Sequence, residues 1–123
     1  MSVRRVAVTG LGVVCSLGNN VESFADNLFS GKSGLSKIES FDASQFKFDK
    51  AGEVKGFDPN EHFSRQEQII LKRFSHFLVV SAREALSDSG YHFDTQEKLY
   101  RTAIITATGA GGSGDTPSLS LTS

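Results

Sequence analysis

The chain has 123 residues, of which 38% are hydrophobic and 22% charged, and its formal net charge is −1. That balance belongs to a globular chain of one-domain length, and it leaves no global basic field to recruit nucleic acid or an anionic membrane. A single cysteine makes no disulfide framework and suits a reducing, cytoplasmic setting, and no apolar run is long enough to span a bilayer.

Val3 to Thr9 is rich in β-branched residues and reads as a buried strand ending at Gly10. Arg4-Arg5 followed by an apolar stretch imitates a short signal peptide. However, Thr9, Gly10 and Gly12 interrupt the stretch, and no small-x-small cleavage site follows it. Gly10, Gly12 and Gly18 then let the backbone turn or approach a neighbour closely.

Asn19-Asn20 offers an N-cap to a short amphipathic helix carrying Val21, Phe24, Ala25 and Leu28, closed by Gly31. Lys32 to Phe63 mixes Phe with Asp, Lys and Gly, and predicts short strands and turns. Ser64-Arg65-Gln66-Glu67 is a capping box opening a helix of about two dozen residues with a break near Lys72. Its expected apolar stripe is Ile70, Phe74, Phe77, Leu78, Ala82, Ala85 and Leu86, and Asp88-Ser89-Gly90 ends it. After a polar linker, Thr102 to Thr108 reads as a second buried strand. Residues 113–123 form a Gly/Ser/Thr-rich tail without periodicity, expected to be flexible. Two strands joined through helices begin an α/β sheet and leave open edges, so the sequence reads as an unfinished unit.

Several patterns imitate chemistry. Gly109-Ala110-Gly111-Gly112-Ser113-Gly114 matches G-x-G-x-x-G, but Pro117 stands where a phosphate-binding helix should open. A nucleotide-binding module is therefore the weakest reading. Gly31-Lys32-Ser33 imitates the end of a P-loop, but it follows a helix, and a C-cap and loop fit better. Cys15 ends an apolar strand, where a thiol acts as a small hydrophobe. His62, His76 and His92 are scattered, without metal-ligand spacing, and His76 falls beside the helix stripe as a packed or half-exposed residue. No metal or cofactor is expected.

Arg4 to Val14, Leu17-Gly18-Asn19, Gly31 to Gly34, Phe41-Asp42, Arg73 to Phe77, Ala82 to Gly90 and Thr108 to Gly112 together, in register, resemble the β-ketoacyl-acyl-carrier-protein synthases of the KAS II type. The resemblance implies an α/β fold: the N-terminal half of a thiolase-like fold, with an incomplete mixed sheet and helices over residues 1–112. It also implies decarboxylative condensation of an acyl thioester with malonyl-carrier, through a cysteine nucleophile and two histidines. In the family those three residues lie downstream of the glycine loop. Cys15 matches a position that is usually Ser, and none of the histidines matches a catalytic one. No catalytic residue is therefore assigned, and the chain alone is expected to be inactive.

By the same resemblance, Gly109, Ala110, Gly111 and Gly112 form a glycine loop near the acyl pocket, with Ala110 in place of a larger aliphatic residue. Basic residues that meet the acidic carrier protein in relatives correspond here to Gln66, Ile69 and Ile70. Arg65, Lys72 and Arg73 remain as the carrier-docking cations. Implied partners are an acyl carrier protein and a second synthase subunit, in a homodimer or heterodimer. An alternative is a catalytically silent, synthase-like subunit or interaction module paired with a complete synthase.

Overall fold

In the computed structural model, residues 4–111 are described. The order of elements is α1 (Val21–Phe29), β1 (Ser36–Lys37), β2 (Lys50–Ala51), a 3-10 turn (Pro59–Glu61), α2 (Arg65–Ile70), α3 (Arg73–Ser89) and α4 (Gln96–Tyr100).

α1 begins where Asn20 caps it: its side-chain oxygen accepts from the Ser23 N–H, satisfying one of the unpaired first-turn donors. It ends at Ser30, and Gly31 follows in the left-handed region at φ 71°. Gly31-Lys32-Ser33 is thus a helix end, with no strand before it. β1 and β2 are a minimal antiparallel pair, Ser36 opposite Ala51 and Lys37 opposite Lys50. They fall in the stretch for which the sequence predicts short strands.

The long helix divides as its sequence suggests. Leu71 and Lys72 take extended backbone angles between α2 and α3. Ser64 and Glu67 form both halves of the capping box on α2, and Gly90 closes α3 at φ 62°. α4 was not expected. Thr95 accepts from the Lys98 N–H and so caps one short turn within the predicted polar linker.

The core sits between α3 and the loop that precedes α2. Phe63 and His76 are buried with their rings 4.7 Å apart, and Val80 is buried one turn further along α3. Phe57 meets Phe77 edge-on at 5.0 Å and stacks on His62 at 5.2 Å. The inward stripe of α3 is therefore His76 and Val80, with Phe77, Ser81, Glu84 and Ala85 half-buried beside them. This corrects the expected stripe. Phe74, Leu78, Ala82 and Leu86 stay exposed, and Ile70 is 77% exposed, because the break at Leu71 turns α2 away from the line of α3.

The two expected strands are also corrected. Residues 4–9 and 102–108 form no ladder among the described residues. Val6 and Val8, then Ile104 and Ile105, are largely exposed. A strand is stable only with a hydrogen-bonded neighbour, and neither segment has one here. Their β-branched composition remains that of buried strands.

Candidate functional site at the start of the long helix

The segment after the first expected strand is pressed onto α3 by backbone geometry. A Cβ on Gly10 would collide with the Ala85 carbonyl, and one on Gly12 with the Ser81 carbonyl, so only glycine fits at either position. Two carboxylates of α3, four residues apart on one face, complete the seam. Asp88 accepts from the Leu11 N–H at 2.9 Å. Glu84 accepts from the Val13 N–H at 2.9 Å and, through its other oxygen, from the Val21 N–H at 2.7 Å. One side chain thereby anchors both the glycine turn and the first turn of α1. Sequence reasoning missed this pair. Its signal was an acidic i, i+4 couple on a helix near a glycine-rich segment.

At the other end of α3 lie the residues for which function is expected. The Arg73 guanidinium donates to the Val54 carbonyl at 3.0 Å and lies 4.9 Å over the Phe77 ring, which holds it against the body. It borders a groove of about 590 Å³ lined also by Glu39, Ser40, Glu53, Val54, Lys55 and Gly56. Within that groove the Ser40 hydroxyl and the backbone of Glu39 and Ser40 hold the Glu53 carboxyl below the usual carboxylate range. Arg65 and Lys72 are exposed. The Ser64 backbone and hydroxyl hold the Glu67 carboxyl below its usual range, and Arg83 stands 3.5 Å from it.

The glycine loop comes to the same end of α3. Gly111 donates its N–H to the Thr108 hydroxyl at 2.9 Å, closing a turn through Gly109 and Ala110. A Cβ on Gly111 would meet both that hydroxyl and the Phe74 ring, whereas one on Gly109 would meet open space. Phe74 and Leu78 line a small groove of about 190 Å³ with Thr106, Ala107 and Thr108. The structure thus brings Gly111, which closes the turn through Gly109 and Ala110, beside Phe74, the neighbour of Arg73. Gly112 lies outside the described residues, as do residues 113–123.

Cys15 is half-buried and unbonded, exchanging backbone hydrogen bonds with Gly18 across a tight turn. His76 is packed against Phe63, and its Nε2 has no hydrogen-bond partner. Among the described residues no three His, Cys, Asp or Glu side chains converge in a way that could hold a metal ion. No helix among them is long and apolar enough to cross a membrane.

Residues 3–123 match the family described as "Beta-ketoacyl synthase, N-terminal domain". The chain belongs to this family. A 3-oxoacyl-[acyl-carrier-protein] synthase 2 from Vibrio harveyi is 39% identical over 112 residues, 91% of this chain and 27% of the relative. A chloroplastic 3-oxoacyl-[acyl-carrier-protein] synthase II from Arabidopsis thaliana is 34% identical over 111 residues, 89% of the chain and 20% of that protein. The chain therefore spans no more than 27% of the length of these relatives. Among solved structures, the ishigamide ketosynthase/chain length factor superposes with a TM-score of 0.66 at 35% identity, over 74% of this chain and 23% of the other. The fold is accordingly a partial α/β fold of the thiolase-like ketosynthase kind. The missing ladder of residues 4–9 and 102–108 concerns its pairing and leaves its class unchanged.

Proposed function

We propose that the chain serves as the N-terminal segment, residues 1–112, of a condensing enzyme in the cytoplasm. That enzyme joins an acyl thioester to malonyl-carrier for fatty-acid or related synthesis. In the proposed reaction a cysteine thiolate outside this chain takes the acyl group and releases the carrier thiol. Malonyl-carrier then loses CO₂, and its carbanion attacks the acyl thioester and expels the cysteine thiolate. Two histidines, also outside this chain, support decarboxylation and stabilise the developing oxyanion. This chain contributes position. Arg65, Lys72 and Arg73 meet the acidic carrier, and Gly109 to Gly112 border the acyl chain.

One observation carries the reading: the glycine loop packs on Phe74, next in sequence to Arg73. The cations that would receive the carrier and the loop that would border its cargo thus share one end of α3. Ala110 sits on the turn, exposed, where a larger side chain would reduce the space for an acyl group. The test is chain-length preference in the complete condensing enzyme carrying this chain. Ala110→Ile is expected to shift preference toward shorter acyl groups; an unchanged preference refutes this placement.

A second reading has one observation in its favour: a solved structure it resembles is that of a ketosynthase/chain length factor. In that reading the chain is a silent subunit beside a complete synthase. Copurification of an active synthase with the tagged chain would favour it. Condensing activity in the protein that carries this chain, without a partner, would exclude it.

A further inference from the structure

α2 is amphipathic the wrong way round. Its polar residues Glu67 and Gln68 are half-buried against the body. Gln68 donates to the Asn60 side chain at 3.2 Å and to the Phe63 carbonyl at 3.1 Å, while Glu67 is held by Ser64 and Arg83. The outer face carries Ile69 and Ile70, 76% and 77% exposed. Two β-branched apolar side chains side by side in water, on a helix whose Glu67 and Gln68 turn toward the body, mark a surface made for contact. Cations rim it. Arg65 lies one helical turn before Ile69, on the same side, and Lys72 and Arg73 follow Ile70 after Leu71, across the break between α2 and α3.

We infer that Ile69 and Ile70 are the apolar anchor of the carrier-protein docking surface, with Arg65, Lys72 and Arg73 as its charged rim. The inference rests on the carrier reading above and adds what holds the complex together. A wholly cationic patch attracts an acidic partner mainly through long-range charge, which salt screens. An apolar pair at the centre of such a rim gives the complex a slower dissociation and a component that salt does not remove. The occupant that fits is an acidic helical surface presenting an apolar side chain between its carboxylates. A basic partner would be repelled by the rim.

The experiment is fluorescence anisotropy of a labelled bacterial acyl carrier protein in its thiol-bearing form, titrated with the complete protein that carries this chain at low and high ionic strength. Circular dichroism of each variant confirms that exposed α2 positions leave the fold intact. Ile69→Ser with Ile70→Ser is expected to weaken binding by about tenfold or more at both ionic strengths. Ile69→Val with Ile70→Val should restore most of it. Arg65→Ala is expected to weaken binding at low ionic strength only. If the serine pair binds like the unaltered protein, the anchor is wrong while carrier docking stands. If unaltered binding vanishes at high ionic strength, docking is purely ionic and the anchor is wrong. Failure of the unaltered protein to bind at either ionic strength overturns the carrier reading and the anchor with it. Light scattering supplies the remaining outcome: concentration-dependent association abolished by the serine pair would assign this face to a second copy of the chain and overturn the inference.

Discussion

The two halves of α3 are built on different principles. Toward its C-terminal end, Ser81 to Asp88 meets Gly10 to Val13 through backbone carbonyls, absent Cβ atoms and two carboxylates. Around its N-terminal end, Arg73 to Val80 meets the Phe57 and Phe63 rings and the glycine loop, Arg73 lies over the Phe77 ring, and much of that surface is open. The first contact is decided by the backbone, so it tolerates almost no substitution, whatever the chemistry of the new side chain. The second is decided by side chains, so its residues can change and alter what is recognised while the fold persists.

The strongest way to break that comparison is Gly12→Val. A Cβ there collides with a helix carbonyl that cannot move without disrupting α3, and β-branching adds bulk. A loss of about 3 kcal/mol or outright misfolding is expected, read by urea denaturation of the protein carrying the chain. A change under about 1 kcal/mol would mean that the seam is loose and that the two halves do not differ as described.

Next in size is Glu84→Ala, which leaves the Val13 and Val21 N–H groups without their acceptor. Both sites are part-buried, so water replaces the carboxylate incompletely, and a loss of about 2 kcal/mol is expected. Hydrogen exchange sharpens the comparison: the amides of residues 13 and 21 should lose protection together, while those of residues 76–80 should not.

Most of the helical structure was legible in the sequence, because helix ends are announced by single residues with local physics. Asn20, Ser64 and Gly90 each do at their helix end what their chemistry predicts. The close approach of Gly10 and Gly12 was legible in kind, since glycine marks such places, but its partner on α3 was not. The apolar stripe was legible only in its spacing. Periodicity gives the spacing of a face, but which face turns inward depends on the kink at Leu71 and on neighbours distant in sequence. Ile70 therefore stands outside although the spacing assigns it to the inner face, and Val80 stands inside. Sheet pairing was least legible. A β-branched run such as residues 102–108 specifies a tendency to pair, and only another strand can satisfy it. At the candidate site, the glycine loop and the basic residues were each visible through resemblance. That Phe74 brings them together is tertiary information.

The smallest expected effect concerns the cap that opens α2. Ser64→Ala removes the acceptor for the Glu67 N–H and the donor to the Glu67 carboxylate, and about 1 kcal/mol of stability should be lost. The pH dependence then shows whether the carboxylate is engaged. The Ser64 backbone and hydroxyl hold the Glu67 carboxyl below its ordinary value, so the folded chain binds that proton less readily than the unfolded one. The stabilisation is therefore complete above the ordinary glutamate range and is lost as pH falls through that range toward the lowered folded value. The difference in stability between the unaltered chain and Ser64→Ala should accordingly be largest near neutrality and shrink in acid. A difference independent of pH would mean that the hydroxyl caps α2 alone. The Glu67 carboxylate would then be free to answer to Arg83, which reaches it from α3, the helix the capped turn leads into.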